Sequence, residues 1–168
     1  MNQAPKITKH AAARRQLDTA IKLFFHEQDS ISIHTLTCAA HQILRDLGEE
    51  SVLKDQMKDM VYEHKRKEWS KMMNEAENFF KHADRDPDKI LEFYQHTDYL
   101  LWDACQMYQR VTSEKTDLMN IFVTWFFMEH SDILTKPEHR SLAQNLRPKY
   151  SSKKEFLQEL LPLVQQID

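Results

Sequence analysis

Residues 11–48 read AAARRQLDTAIKLFFHEQDSISIHTLTCAAHQILRDLG, and the fold is decided in this stretch. Ala13, Leu17, Ala20, Ile21 and Phe24 recur three and four apart, which lines up one face of a helix. Thr8 stands where an N-cap belongs, and the pattern carries the helix to about Glu27. Asp29 and Ser30 break it, and Ser30 or Ser32 caps a second helix. That helix is expected to bury Ile33, Leu36, Ala40, Ile43, Leu44 and Leu47, and to stop at Gly48, where a left-handed residue is wanted.

Gly48 is the one glycine in 168 residues. Glycine serves wherever the backbone needs positive φ or must approach a phosphate closely. A chain with a single glycine cannot build a Gly-rich phosphate loop, a dinucleotide fingerprint or a set of tight hairpins. What remains is helix. Hydrophobic residues make up 41% of the chain, including 9 Phe and 3 Trp, which is enough for a core. Charged residues reach 29% with both signs interspersed, so they read as solvated helix faces rather than disorder.

The same reading extends down the chain. Glu49 to Asp59 is weaker, one short helix or an ordered connection. A third helix from about Met60 to Ala83 has Trp69, Met72, Met73, Ala76 and Phe80 on one side. Asp84-Arg85-Asp86-Pro87-Asp88 is a turn, after which Pro87 is suited to start a fourth helix running to about Arg110. A fifth, from about Ser113 to Leu134, is apolar nearly all round over Ile121–Met128 and belongs in the middle of a bundle. Pro137 and Pro148 bracket a short helix, and Ser151 or Ser152 caps a last one, kinked or ended near Pro162.

Net charge is −3, which offers no global electrostatic case for nucleic acid. Cys38 and Cys105 both fall inside helical patterns, so no disulfide framework is implied and a reducing, cytoplasmic compartment is expected. The opening MNQAPKITKH has no apolar core of a signal peptide, and no run approaches the roughly 20 residues that span a bilayer. No membrane partner is expected.

Three constellations could carry chemistry. His34, Cys38, His41 and Arg45 line one side of the second helix at spacings of four, three and four. Imidazole and thiolate ligate zinc, but a single helical stripe lacks the paired short spacings of zinc sites, and no metal is assigned. Asn78 and His82 stack one turn apart near the end of the third helix, with Glu75 and Lys71 beside them. There His82 could carry a proton near neutral pH, or simply interact as a cation with the last carbonyls. Asp98 sits at helical spacing from Tyr94, Leu101 and Trp102, and an acid on so apolar a helix needs a partner. A His, Arg or Tyr from another helix would satisfy it through a structural hydrogen bond. No Glu is followed three residues later by His, so the di-iron carboxylate pattern is missing.

The first half resembles the HEPN superfamily of helical nucleotide-binding domains. AAARRQLDTAIKLFF, the acidic break HEQDSIS and IHTLTCAAHQILRDLG resemble that family's opening helix pair, and ENFFKHAD at 77–84 resembles its signature. Members that cut RNA carry an Arg, commonly followed by Asn, with a His a few residues on, usually in two protomers facing each other. The resemblance therefore implies a homodimer. Asn78 and His82 match, but Glu77 occupies the Arg position, where a carboxylate would repel the phosphate that a guanidinium stabilises.

The expectation is an all-α chain, a helical bundle of about five to seven helices with a HEPN-like core. It forms one domain over residues 1–168, with the HEPN-like helices in 1–84 and further bundle helices in 85–168. The favoured function is a non-catalytic cytosolic domain binding a nucleotide, RNA or a protein partner through a groove that presents His34, His41, Asn78 and His82. One alternative is a metal-independent ribonuclease using His82 with Asn78. Another is a helical scaffold without a ligand site. No metal or cofactor is implied.

Overall fold

The structure, a computed structural model, describes residues 4–48, 51–52, 71, 74–82, 84, 86–93, 96–134 and 137–165. It is all-helical, with no strand among the described residues.

Two long helices open the chain, α1 (Lys9–Phe25) and α2 (Ser30–Asp46). Thr8 caps α1 as its sequence position predicts, its hydroxyl accepting from the Ala11 amide at 3.1 Å. The cap of α2 is Asp29 rather than either serine. Its Oδ2 accepts from both the amide (2.7 Å) and the hydroxyl (2.6 Å) of Ser32, two bonds onto one carboxylate oxygen. Those bonds hold the Asp29 carboxyl below its ordinary pKa. Gly48 is left-handed at φ 95°, and its amide reaches the Arg45 carbonyl at 3.0 Å. Leu47 lies past the helix end and is exposed, not buried.

Residues 74–81 form α3, with Ala76 buried. Most of the expected Met60–Ala83 helix and of the Glu49–Asp59 connection lies outside the described residues. The fourth helix starts about ten residues later than its sequence suggests, as α4 (Thr97–Thr112). Pro87 is a good first residue of a helix, but its fixed φ suits the second position of a β-turn equally well. The turn wins here. The Lys89 amide closes onto the Asp86 carbonyl at 3.0 Å, and Lys89 Nζ is held by Glu75 at 2.6 Å. The chain then runs on without helix, bringing Phe93 against Phe80 at 5.1 Å between ring centroids.

Ser113 ends α4 in the left-handed conformation (φ 60°) instead of starting the next helix. Helix α5 (Asp117–Glu129) therefore begins later, capped by Thr116. That hydroxyl accepts from the Met119 amide at 3.2 Å and donates to Asp18 of α1 at 2.6 Å, so the cap also pins two helices together. A 3₁₀ turn (Ser131–Ile133) leads to α6 (Pro137–Leu146), and a second one to α7 (Lys153–Val164). Ser152 caps α7, and the exposed Pro162 is accommodated within its last turn.

The short connection between α1 and α2 makes them antiparallel neighbours, and both pack on α4. Helix α5 touches α1, α4, α6 and α7, the central place its all-round apolarity predicts. One buried cluster joins Leu17, Ile21 and Phe25 to Leu101, Met107, Phe122, Phe126 and Phe156, so both halves of the chain build the same core. Burial of each such side chain stabilises by about 1.5–3 kcal/mol. Among the described residues no helix is long and apolar enough to cross a membrane.

Candidate functional site

The end of α1, the starts of α2, α4 and α7, and the last turns of α5 border a half-open cavity of about 290 Å³. This lies at the lower edge of the roughly 300–1,000 Å³ typical of small-molecule sites. Phe24, Ile33 and Trp125 supply its apolar lining. Gln28, Ser30 and Thr97 add neutral polar groups, and Glu27, Asp98 and Lys153 add charge.

Asp98 has the partner its apolar setting demands. Its Oδ2 lies 2.8 Å from His130 Nε2, just beyond the end of α5, and its Oδ1 accepts from the Tyr99 amide at 3.0 Å. His130 Nδ1 is 3.0 Å from the Tyr99 hydroxyl. In a neutral ring, Nε2–H donates to the carboxylate and Nδ1 accepts from Tyr99 O–H, which fixes the tautomer. Burial, and then the negative charges of Asp98 and Asp132, push the Tyr99 phenol up, so it stays protonated at neutral pH. The chain Asp98–His130–Tyr99 is therefore a set of positioned donors and acceptors. It does not end in an activated nucleophile.

Lys153 is the first residue of α7, a poor position for a cation next to the helix dipole. Its ammonium lies 3.9 Å from the Phe24 ring centroid and 5.2 Å from that of Trp125, and the ring faces offset the cost. Among the described residues Lys153 makes no ion pair, although Asp98 and Glu27 line the same cavity. Glu27 adopts φ 51°, which only two non-glycine residues of the described chain share. Backbone strain of this kind concentrates at functional sites.

The groove residues expected from the sequence, His34, His41, Asn78 and His82, are not among those lining the cavity. His34 is 1% exposed, with Nδ1 3.0 Å from Thr97 Oγ1 and Nε2 without a hydrogen-bond partner among the described residues. Its ring meets Phe80 and Phe93 edge-on at 5.8 and 5.1 Å, so α3 reaches α2 through Phe80. Burial lowers the His34 pKa; the Glu77 charge opposes it to a smaller extent, and the Lys81 charge adds to the lowering. His41 Nε2 is bound to the Asp103 carboxylate at 3.0 Å, and the Ser51 hydroxyl donates to the same oxygen. Asn78 and His82 are exposed on the outside of α3. His34 is thus interior, while Asn78 and His82 face solvent. Glu77, at the position of the ribonuclease Arg, is ion-paired with Lys81 at 2.5 Å.

Cys38 is buried, and burial pushes its thiol up to about 12, which keeps it protonated at neutral pH. Among the described residues no group of three His, Cys, Asp or Glu side chains could hold a metal.

Asp98 was legible as a residue in need of a partner. Lys153, Glu27 and Thr97 were not, because each is an ordinary helix-end residue until the ends are brought together. No family model, curated protein or solved structure matches this chain.

Proposed function

We propose that this chain is a non-catalytic binding domain whose site is the cavity at the helix ends, and that its ligand is a small molecule. The observation that carries this reading is Lys153. Its ammonium is held over two aromatic rings at a cavity wall, with no ion pair among the described residues, where it can meet a ligand. A protonated Tyr99 and a His130 with both nitrogens engaged favour binding over proton-transfer chemistry. The ribonuclease alternative draws less support, since a carboxylate already neutralised by Lys81 stands where it needs a guanidinium. A HEPN-like core and a homodimer remain part of the proposal on the sequence resemblance alone, and a cytosolic location on the two cysteines placed within helical patterns.

A fragment titration followed by ¹⁵N NMR tests the site, using neutral, anionic, cationic and zwitterionic fragments. The amides of Ser30, Thr97 and Lys153 should move together with the Trp125 indole. Fragments that move only Asn78 and His82, or that leave the cavity set unmoved in every charge class, overturn the proposal.

A further inference from the structure

We infer that the ligand is a zwitterion: a small molecule with one acidic and one amino group on an apolar body, of the size and type of an aromatic α-amino acid. The inference rests on the cavity being the binding site, and is drawn from the distribution of charge around it.

Three charged residues line the cavity, Lys153, Glu27 and Asp98. Opposite charges facing one small space would normally collapse into a pair. Here they do not, for Lys153 is within ion-pairing distance of neither acid. The reason is visible for two of the three. Lys153 is held by the faces of Phe24 and Trp125, and Asp98 is anchored by His130 Nε2 and the Tyr99 amide. Glu27 is exposed at the turn out of α1, with a left-handed φ. The walls thus hold separated charges of both signs, a pattern complementary to a ligand carrying both.

A ligand with a single sign of charge fits less well. A phosphorylated or polyanionic ligand could pair with Lys153 but would bring its negative charge up to Glu27 and Asp98, with like charges in a partly desolvated space. A simple organic cation could pair with the carboxylates and leave Lys153 opposed. An acidic group on Lys153 and an ammonium toward Asp98 and Glu27 satisfies all three. The hydroxyls of Ser30 and Thr97 can orient the two groups, and Phe24, Ile33 and Trp125 form the surface for the apolar body. The small cavity limits that body to about one ring.

Calorimetric and NMR titration of the full chain with three probes that share a side chain tests the inference: L-phenylalanine, N-acetyl-L-phenylalanine and L-phenylalaninamide. The zwitterion should bind the cavity. Acetylation, which removes the ammonium, and amidation, which removes the carboxylate, should each weaken binding about ten-fold or more. Lys153→Gln should weaken the zwitterion and the acetylated form while leaving the amide unchanged. Equal binding of the zwitterion and either masked form would overturn the inference. So would cavity binding by anionic or cationic fragments with no response to phenylalanine, an outcome that leaves the cavity itself intact as the site. Silence from every fragment and every probe would remove both.

Discussion

Asp98 and Asp103 sit five residues apart on α4, about 140° around its axis, and each meets a histidine from another part of the chain. The inner pair is closed. Asp103 is 1% exposed, and one of its oxygens takes both His41 and the Ser51 hydroxyl, tying α2 and the chain beyond Gly48 to α4. The outer pair is open. Asp98 and His130 have side chains 17% and 22% exposed, and Asp98 borders a cavity that Lys153 also lines. The same two groups at nearly the same distance thus do different work. A carboxylate shut away from solvent is a structural pin, whereas one left partly wet at the edge of a cavity is within reach of a ligand.

The largest expected effect separates the pairs by stability. Asp103→Ala should cost about 2–3 kcal/mol, because it removes a buried carboxylate that holds the partly buried His41 and Ser51 on α4. Asp98→Ala should cost about 1 kcal/mol, because solvent reaches what is left behind. Urea denaturation at pH 7 measures both. Equal losses, or the reverse order, would break the distinction between pin and site.

The sequence carried the fold further than it carried the site. Thr8, Gly48 and the apolar run of α5 are local signals, and each sits where its chemistry places it. The start of α4 was misplaced because Pro87 serves a turn and a helix start alike, and Lys89 reaching Glu75 fourteen residues back settles the choice. Asp98 declared its need for a partner, but His130 could not be picked from among the chain's 9 histidines without the packing of α4 on α5. The His34–His41 stripe is real as a stripe. Its two imidazoles nonetheless serve Thr97 and Asp103, both on α4, which no spacing within α2 reveals.

Gly48 lies on the closed side of the comparison, and the chain beyond it carries Ser51 to Asp103. Its φ of 95° strains any side chain, although a Cβ there would meet nothing within 4 Å. Gly48→Val should therefore cost about 1–2 kcal/mol through the backbone alone. An unchanged thermal midpoint would show that the turn reorganises freely and that Ser51 does not depend on it.

A third imidazole sharpens the contrast because it has no carboxylate. His34 is buried against Phe80 and Phe93, and burial lowers its pKa from the ordinary 6.5. The sign follows. The unfolded chain takes up a proton at His34 near pH 6.5 while the folded chain resists it, so stability is full above that pH and is lost as pH falls below it. His34→Phe should flatten the decline between about pH 6.5 and 5 relative to the unmodified chain. Parallel slopes in the two proteins would assign the acid sensitivity to other groups.

The smallest effect concerns Glu27, on the open side. A side chain at φ 51° costs roughly 1–2 kcal/mol, and glycine there would remove the strain at an entropic cost of about 0.5–1 kcal/mol. Glu27→Gly should therefore stabilise the protein by about 0.5 kcal/mol, raising the thermal midpoint by about 1–2 °C. A strained residue kept where a glycine would be more stable makes sense if its carboxylate is used, since binding sites are where stability is commonly given up for function. Glu27→Gln separates the two contributions. It keeps the strained backbone and removes only the charge, so it should leave the midpoint unchanged and weaken L-phenylalanine binding. If Glu27→Gly lowers the midpoint instead, contacts of the glutamate outweigh its strain. The left-handed turn would then belong to the structural side of the comparison, with Gly48 and Asp103.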